Sequence, residues 1–452
     1  MNWENKRVLV VGMARSGIAV ASLLLEQHAI PLLYDSKKES TFGDALNFLK
    51  NTSCEFHLGE DINKLISSVS CMIISPGVPI DAPFVVLAKE LGVSVIGELE
   101  FAYSLLKSQT IAITGTNGKT TTTTLTGEIF KNAGRTTHVA GNIGYPLSAV
   151  SLLAKKEDIS IIEVSSFQLE SIYTFRPYIA ALLNITPDHL NRHGNMETYI
   201  SLKQRIFENQ TPNQYSVLNY DDLSIAPLAK NIKSQIVYFS RTQTLEQGAY
   251  LENGEIVWKW KGITKSICKP DEILIPGPHN LENALAAIAI ACIMGIPSSI
   301  IRHTLITFTG VEHRIERVRT LNNITYINDS KATNVDSTIK ALESMQSPTV
   351  LILGGYDKRV DFSKLCEKIS TEKNIIHVVV LGETALQLQT QLSQAGVTYV
   401  SLAYSLQDAI KKSQLQIKEG GNILLSPACA SFDMFDDYEH RGKVFKQLVN
   451  EL

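Results

Sequence analysis

The sequence TIAITGTNGKTTTTTL, residues 110–125, decides the fold of this chain. Ile111 and Ile113 predict a short buried strand, a tight polar turn follows, and the threonine-rich end predicts the first turns of a helix. Parallel α/β sheets are built from strands that pass through such turns into helices. The stretch therefore predicts an α/β domain around a mostly parallel sheet.

The turn has the residues of a phosphate-binding loop. Gly115 and Gly118 let backbone N–H groups face an anion, and Lys119 places a cation at the outer phosphates of a nucleotide. Thr120 or Thr121 can offer a hydroxyl to Mg²⁺. The loop is shorter than the common GxxxxGK[ST] pattern, which points away from GTPases and motor proteins. The alternative is a glycine turn that only joins strand to helix, and the Gly-Lys-Thr context disfavours it.

Composition and charge bound the class of protein. The chain has 452 residues and a hydrophobic content of 44%, which is enough for several cores. A chain of this length predicts roughly two to four domains. Lys and Arg total 42 and Asp and Glu total 45, so the net charge is -3. Without a long basic run, nucleic acid and anionic membranes are weak partners, and we expect small-molecule substrates and a monomer.

The cysteines and the first residues indicate the compartment. The six cysteines form no CxxC pair and have no histidine at zinc spacing, so we expect reduced, mostly buried thiols. The start, MNWENKRVLVVG, enters a strand directly, and no apolar run reaches membrane-spanning length. We expect a soluble, cytoplasmic protein.

Residues 1–107 predict a first α/β domain. Arg7–Val11 reads as a strand that turns into a helix, and a second strand, Ile30–Tyr34, ends at Asp35, where an acidic residue meets the ribose in dinucleotide folds. Ala14 occupies the position of the middle glycine of GxGxxG, which disfavours binding of NAD in the usual manner. The alternative is a turn that serves α/β packing alone.

A stiff loop in the same domain points to a nucleotide-like ligand. Ser75, Pro76 and Gly77 follow the apolar strand that begins at Cys71. Ligands of open parallel sheets bind at the carboxyl ends of strands. We therefore expect a uridine or another nucleoside diphosphate moiety here.

The central domain, residues 108–310, places polar residues after neighbouring strands. Glu163 ends the strand at 159–163, and His189 follows the strand expected at 178–185. Carboxyl ends of parallel strands share one edge of a sheet, so Lys119, Glu163 and His189 should converge. A carboxylate, an imidazole and a threonine hydroxyl near a polyphosphate make a plausible Mg²⁺ site.

The later parts of this domain give weaker indications of function. Lys203 lies in a helix expected over 196–209, and from the sequence alone it reads as a solvated surface lysine. Short strands within 211–270 predict antiparallel decoration of the sheet. The apolar helix at 281–294 is expected to be buried, and the amides of Asn280 and Asn283 near its start need partners, either adenine edges or backbone.

The third domain, residues 311–452, predicts another mostly parallel α/β layer of Rossmann type. Polar segments follow three of its expected strands, at 328–334, 354–358 and 426–431. A second substrate, or the far side of a nucleotide, would be held there. Arg314 lies in a hinge-like segment and is expected to face the phosphates.

Motifs in all three domains resemble, in the same order, the Mur ligases of peptidoglycan synthesis. They are GTNGKTT at 115–121, GNIG at 141–144, EVSSFQLE at 163–170, NITPDHLNRH at 184–193, HNLENALAA at 279–287, HRIE at 313–316, NDSKATN at 328–334, LGGYDK at 353–358 and SPACASFDMF at 426–435. The resemblance implies a Rossmann-like first domain, a central domain of the P-loop ATPase type and a Rossmann-like third domain.

The resemblance also implies an ATP-dependent amide ligase. Such enzymes phosphorylate a substrate carboxylate, and an incoming amine then attacks the acyl phosphate and expels phosphate from a tetrahedral intermediate. The SSFQLE and SPACASFD forms are most similar to the branch that adds D-glutamate to UDP-N-acetylmuramoyl-L-alanine. The implied cofactors are ATP and two Mg²⁺ ions, and the implied process is cell wall biogenesis, with cell shape and division depending on it.

Matching positions imply roles for individual residues. For ATP they are Gly115, Thr116, Asn117, Gly118, Lys119, Thr120, Thr121, Asn280, Asn283, Arg314 and Asp329. For the UDP-substrate they are Ala14, Arg15, Ser16, Asp35, Ser36, Lys37, Ser75, Pro76, Gly77, Asn142 and Ser165. For the amino acid they are Lys331, Thr333, Lys358, Ser431 and Phe432, with Tyr438 as an aromatic contact whose alignment is open. The metal ligands would be Thr120, Glu163, His189 and Lys203, the last matching a lysine that the family carbamylates, and the catalytic residues Lys119, His189 and Lys203.

Other hypotheses remain at this point. A sister ligase could add L-alanine, a diamino acid or D-alanyl-D-alanine, although no acidic-arginine recognition motif for a diamino acid is found in the third domain. A folylpolyglutamate-synthase-like enzyme gives no reason for the first domain. A nucleotide switch would bind ATP without ligating anything, and a dehydrogenase is the weakest alternative.

Overall fold

The computed structural model describes residues 2–38, 42–358 and 360–452. The chain divides into two compact units, residues 1–270 with 282–305, and residues 271–281 with 306–452. The first unit contains two sheets and the second contains one.

The first sheet is parallel throughout. Its strands and helices are β1 (Arg7–Val11), α1 (Arg15–Glu26), β2 (Ile30–Asp35), β3 (Glu55–Leu58), α2 (Asn63–Ile66), β4 (Cys71–Ile74), α3 (Pro83–Glu90), β5 (Ser94–Gly97) and α4 (Glu98–Leu105). The strand order is β3-β2-β1-β4-β5, so the connections change direction between β1 and β4. Ligands of such sheets bind at this switch point, beyond the carboxyl ends of the strands.

The second sheet has nine strands. Its elements are β6 (Gln109–Thr114), α5 (Lys119–Asn132), β7 (Thr137–Gly141), α6 (Leu147–Val150), β8 (Ile159–Glu163), α7 (Ser166–Leu169), β9 (Ile179–Leu182), α8 (Leu190–His193), α9 (Met196–Gln204), β10 (Tyr215–Asn219), β11 (Gln235–Ser240), β12 (Gly248–Glu252), β13 (Glu255–Trp260), β14 (Ile263–Cys268), α10 (Pro278–Ile293) and α11 (Ser298–Thr307). The order is β14-β13-β12-β11-β10-β9-β6-β8-β7, with β6 between β8 and β9.

The antiparallel decoration expected within 211–270 is only partly present. β11 pairs parallel with both β10 and β12, so the expectation is wrong for that strand. The connection from β10 to β11 includes a 3₁₀ turn, Ala226–Asn231, and is long enough to return the chain to the same end of the sheet. Antiparallel pairing begins with β12 and β13, where Asn253 and Gly254 have φ of 51° and 80°, as a tight hairpin turn requires.

Two other elements are shorter than expected. The strand predicted at 178–185 is β9, Ile179–Leu182. The helix predicted at 196–209 is α9, which ends at Gln204 and continues as a 3₁₀ turn, Arg205–Phe207. The buried strands match their prediction, because helices on both faces of a parallel sheet leave its central strands without solvent contact. The predicted apolar helix is α10, whose residues 284–291 are buried.

The second unit contains a third sheet. Its elements are β15 (Glu316–Leu321), β16 (Ile324–Asn328), α12 (Val335–Glu343), β17 (Thr349–Leu353), α13 (Ser363–Thr371), β18 (Ile375–Val380), α14 (Ala385–Gln394), β19 (Val400–Leu402), α15 (Leu406–Gln416), β20 (Gly421–Leu425) and α16 (Tyr438–Asn450). The order is β15-β16-β20-β17-β18-β19, and β15 with β16 is the antiparallel pair. The predicted α/β class, with mostly parallel sheets in three domains, is confirmed.

Two further features concern the cysteines and the length and polarity of the helices. The six cysteines form no disulfide in the structure, and four of them are buried. Across residues 2–38, 42–358 and 360–452, the helices are too short or too polar to cross a membrane.

Candidate active site

The phosphate loop joins β6 to α5, and its last glycine cannot carry a side chain. Gly118 has φ of 83°, and a Cβ at this position would lie 2.2 Å from Oδ1 of Asn283. Asn283 also accepts a hydrogen bond from Thr122 Oγ1 at 3.2 Å. Close packing of α10 on the start of α5 therefore fixes the loop and leaves the N-terminus of α5 facing the turn.

Residues that follow β9 hold the loop in place. The Asn184 side chain accepts from the Asn117 N–H at 2.8 Å and donates to the Asn117 carbonyl at 3.0 Å. The Thr116 hydroxyl donates to the Thr186 carbonyl at 3.1 Å and lies 3.2 Å from the Tyr199 hydroxyl. The loop is thus rigid before any ligand binds, which lowers the entropy cost of binding.

Two lysines converge on the same loop carbonyl. Lys119 Nζ donates to the carbonyls of Gly115 and Thr116 at 3.0 and 2.7 Å, and Lys203 Nζ donates to Gly115 O at 2.8 Å. Lys203 is 1% exposed and lies 4.7 Å from the Tyr199 ring centroid, so its interpretation as a surface lysine is wrong. Burial, and then the Lys119 cation, hold the pKa of the Lys203 amine well below its ordinary value.

Glu163, at the end of β8, carries an unsatisfied buried oxygen. The side chain is 1% exposed, and its Oε1 accepts from Asn142 Nδ2 at 2.8 Å. Among the described residues, Oε2 of Glu163 has no donor. The buried hydroxyl of Thr121 also has no hydrogen-bond partner among them. Buried carboxylate oxygens need a donor or a cation, and hard oxygen ligands of this kind fit Mg²⁺.

His189 lies at the same edge of the sheet as Glu163. It follows β9 with φ of 54°, is partly exposed, and packs against Phe167 with 4.8 Å between ring centroids. Asp188 Oδ2 lies 3.5 Å from His189 Nε2. Because β6 lies between β8 and β9, Lys119, Glu163 and His189 follow three adjacent parallel strands.

A buried histidine, His193, packs against Tyr199, which contacts the phosphate loop. His193 Nε2 lies 3.0 Å from the Ser166 hydroxyl, and its ring stacks on Tyr199 at 5.4 Å. Burial lowers the pKa of His193 from 6.5 to about 4. Glu170, 3.5 Å from His193 Nδ1, does not reverse this shift, because Arg192 Nη2 also binds its carboxylate, at 2.7 Å.

The first-domain turn is closed by side chains from neighbouring strands. Asp35 Oδ2 accepts from the Met13 N–H at 2.8 Å, and Oδ1 accepts from the Lys37 N–H at 3.0 Å. Ser75 Oγ donates to the Gly12 carbonyl at 2.9 Å, which joins the turn to the loop after β4. Gly17 is required, since a Cβ there would lie 1.9 Å from the Gly12 oxygen.

Most predicted UDP-substrate residues surround this turn. Ala14, Arg15, Ser36 and Lys37 are exposed next to the start of α1, and Ala14 provides no side-chain cap to that helix. Asn142 and Ser165 lie elsewhere, near β8, where both make structural contacts. Asn142 binds Glu163, and Ser165 caps α7 through a reciprocal pair of hydrogen bonds with Gln168.

In the second unit, Asp329 and Arg314, both predicted to contact the nucleotide, carry buried polar groups. Asp329 is 2% exposed and accepts from Ser426 Oγ at 2.7 Å. Burial raises its pKa to about 6, against the opposing effect of Arg314. Arg314 Nε is buried and has no acceptor within the described ranges. Asn280 donates to the Pro276 carbonyl at 2.6 Å, so its amide has a backbone partner.

The predicted amino-acid residues lie in three loops of the same unit, those after β16, β17 and β20. Lys331 Nζ lies 5.3 Å from the Tyr438 ring centroid, which gives Tyr438 a position next to the predicted site. Ser431 is buried, whereas Lys358 and Phe432 are exposed. The Thr333 N–H donates to the Lys331 carbonyl at 2.9 Å.

Arg441, which the sequence did not single out, joins two of these loops. Its guanidinium donates to Ser330 Oγ at 2.9 Å, to the Ser330 carbonyl at 2.8 Å and to the Cys429 carbonyl at 3.0 Å. It is 3% exposed, and burial lowers its pKa to about 10. A fixed cation between loops 328–334 and 426–431 holds them in one arrangement.

Comparison with known proteins identifies the family. A relative from Alkaliphilus oremlandii, named UDP-N-acetylmuramoylalanine--D-glutamate ligase, is 45% identical over 454 residues and covers 100% of both chains. The chain belongs to the Mur ligase family. A relative of the same name from Clostridioides difficile is 44% identical over 457 residues, again with 100% of both chains covered.

Domain models of the Mur ligases match in chain order. The MurD-like N-terminal domain matches residues 6–97, the Mur ligase middle domain residues 113–291, and the glutamate ligase domain of the Mur ligases residues 313–429. Together these matches span most of the chain.

Solved structures support the fold. The Thermotoga maritima UDP-N-acetylmuramate-alanine ligase MurC has a TM-score of 0.63 at 19% identity and covers 99% of this chain and 100% of its own. The MurF ligase of the same organism, in complex with ADP, has a TM-score of 0.60 at 16% identity and covers 99% and 96%. At these identities the likeness concerns the Mur ligase fold alone.

Sequence reasoning missed several residues of this Mur ligase. Asn184 and Tyr199 hold the phosphate loop, and Arg441 joins the loops of the third sheet. A signal existed for Asn184, because it lies just after β9 in the NITPDH segment. Helical spacing places Tyr199 toward a core but does not predict its contact with the loop, and no local pattern marks Arg441, since their partners are 83 and up to 111 residues away.

Proposed function

We propose that this Mur ligase adds D-glutamate to UDP-N-acetylmuramoyl-L-alanine, using ATP, as a cytoplasmic monomer. The observation that carries the proposal is the cluster of Lys119, Lys203 and Glu163 at the β6 to β8 edge, two lysine amines on one loop carbonyl next to a buried carboxylate. The names of relatives at about 45% identity support the choice of substrates.

The phosphate loop performs the first half of the reaction. Lys119 and the N-terminal N–H groups of α5 bind the outer phosphates of ATP and align the γ-phosphate with the substrate carboxylate. Phosphoryl transfer needs mainly alignment and charge neutralisation, and the rigid loop supplies both. Binding of a nucleotide requires Lys119 Nζ to leave the loop carbonyls that it contacts.

The edge of the sheet that carries Glu163 fits a divalent cation. Glu163, Thr120 or Thr121, and His189 would hold Mg²⁺, and the unpartnered oxygens of Glu163 and Thr121 support this set. When bound, Mg²⁺ neutralises the charge that gathers on the phosphoryl oxygens. Asn142 orients Glu163 by its hydrogen bond to Oε1.

Lys203 is suited to carbamylation. Burial favours its neutral amine, the form that attacks CO₂. The nitrogen lone pair forms the N–C bond, one C=O π pair moves to oxygen, and a proton leaves to water, which yields a carbamate anion. The anion would replace an amine beside Lys119 by a negative partner, and it could serve as a further metal ligand.

The second unit would bind the amino acid. Lys331 and Lys358 supply cations for the two carboxylates of D-glutamate, and Thr333, Ser431 and Phe432 lie in the loops after β16 and β20. Arg441 positions these last two loops and does not itself contact the substrate in this proposal. Asn280, Asn283, Asp329 and Arg314 would bind the nucleoside and phosphates of ATP.

The test is phosphate release from ATP by the full chain with Mg²⁺ and UDP-N-acetylmuramoyl-L-alanine. We expect release with D-glutamate and none with L-glutamate, L-alanine or a diamino acid. Release with another amino acid instead would move the protein to a sister ligase. Slow release without any amino acid would indicate a nucleotide switch and overturn the proposal.

A further inference from the structure

The turn between β18 and α14, residues 381–384, packs directly on the loop after β17. A Cβ on Gly354 would lie 2.1 Å from the Leu381 carbonyl oxygen, and a Cβ on Gly382 would lie 2.8 Å from the Cα of Gly355. Side chains at these positions would push the two backbones apart. The glycines on both sides therefore allow the β18–α14 turn to contact the backbone of the loop itself.

Thr384, the last residue of this turn, binds both the N–H and the carbonyl of Gly355. Its hydroxyl accepts from the Gly355 N–H at 3.1 Å and donates to the Gly355 carbonyl at 3.1 Å. The Thr384 N–H donates to the same carbonyl, also at 3.1 Å. Thr384 is 1% exposed, so a side chain without the hydroxyl would leave the Gly355 N–H buried and without this acceptor.

The other end of the same segment is bound by the neighbouring residue of the turn. The Asp357 N–H donates to Glu383 Oε2 at 3.2 Å, and Lys358 is the next residue along the chain. Arg441 does not perform this task, because its guanidinium donates to the loops after β16 and β20. The β18–α14 turn thus holds the backbone from which the Lys358 side chain extends.

The turn also reaches the loop after β20. Thr384 Oγ1 lies 3.4 Å from Cys429 Sγ, and the Tyr356 N–H donates to the Ala430 carbonyl at 3.0 Å. Thr384 therefore contacts the loops after β17 and β20 at once. Both loops carry residues predicted to bind the amino acid, so Thr384 fixes the spacing between them.

We propose that Thr384 is a positioning residue for the binding of D-glutamate. Its hydroxyl fixes the backbone from which Lys358 reaches one carboxylate of the amino acid, and Thr384 itself does not touch the substrate. This inference rests on the proposed function, from which it takes D-glutamate and the role of Lys358. Without the hydroxyl, binding of the amino acid has to order the loop after β17, and that ordering lowers the affinity.

The test is Thr384→Val, which replaces the hydroxyl by a methyl group, in steady-state phosphate release by the full chain. We expect KM for D-glutamate to rise about tenfold, whereas KM for ATP and for the UDP-substrate should stay within about twofold. Thr384→Ser keeps the hydroxyl and should return KM for D-glutamate to within about twofold of the natural value. Thr390→Val, an exposed threonine of α14, is the matched control.

A double variant tests whether Thr384 acts through Lys358. Lys358→Gln removes the cation and should itself raise KM for D-glutamate. Adding Thr384→Val should then raise KM by less than about twofold, because the hydroxyl no longer has a cation to position. If the effects of the two substitutions multiply instead, Thr384 does not act through Lys358 and the proposal is overturned.

Two further results would also overturn it, namely an unchanged KM for D-glutamate in Thr384→Val and an equal rise in KM for all three substrates. If Thr384→Val does not fold, Thr384→Ala takes its place in both comparisons. Failure of the proposed function looks different, because the natural chain would then release no phosphate in response to D-glutamate.

Discussion

The β1–α1 turn and the β6–α5 turn are both strand-to-helix turns of a parallel sheet, but they differ in the buried groups that hold them in place. In the first, one carboxylate and one hydroxyl close the turn, and its predicted ligand residues are exposed or half-buried. In the second, buried groups from several elements converge beneath the loop, among them Lys203 and Glu163. The difference suggests a division of labour, in which the first turn binds substrate and the second carries out chemistry.

The largest expected effect is that of Lys203→Ala in the second turn. We expect kcat to fall by at least about 10³-fold, because charge stabilisation at the phosphoryl group is lost. Short carboxylic acids should restore part of the activity by replacing the carbamate. Lys233→Ala, an exposed lysine of the same unit, is the control. Activity near that of the control would remove Lys203 from the reaction.

Lys119→Ala should come next, with a loss of about 10²- to 10³-fold in kcat/KM for ATP. The melting temperature should hardly change, since the two hydrogen bonds that Lys119 donates to carbonyls of the phosphate loop add little to the core. Steady-state kinetics and differential scanning fluorimetry separate the two quantities. A collapse of the melting temperature would mean that Lys119 supports the fold and that the two turns differ less than proposed.

Asp35→Asn tests the first turn. The amide would face the Met13 or Lys37 N–H with a donor, so the turn should loosen and KM for the UDP-substrate should rise about tenfold. The value of kcat and KM for ATP should stay within about twofold. Asp271→Asn, an exposed aspartate, serves as control. A fall in kcat without a change in KM would place Asp35 in the chemistry and break the comparison.

The last prediction concerns the dependence of stability on pH. His193 has a folded pKa of about 4 against 6.5 ordinarily, so the unfolded chain binds more protons between these values. Stability from the neutral ring is present above 6.5 and is lost as pH falls toward 4, by roughly 3 kcal/mol at most.

The measurement is the melting temperature from pH 7 to pH 5. His193→Gln should have a lower melting temperature at pH 7 but a flatter pH dependence than the natural chain. His28→Asn changes an exposed histidine and should keep the natural slope. Identical slopes for all three proteins would show that His193 is not the group responsible.

The parts that the sequence predicted are those with local signals. The glycine turns, the apolar strands and the order of α/β units follow from residue patterns a few positions long. The depth of Lys203 could not be predicted, because helix α9 gives no sign that this face packs under the loop. The parallel pairing of β11 and the role of Arg441 likewise depend on contacts between distant residues. The Asn-Gly turn between β12 and β13, by contrast, was a readable hairpin signal.

The proposed metal site would also link folding to ion supply, through the unpartnered Oε2 of Glu163. A buried acceptor without a donor lowers the stability of the folded chain, and a cation that binds there raises it by mass action. In this proposal a carboxylate that serves phosphoryl transfer would make the stability of the fold respond to the magnesium level of its surroundings.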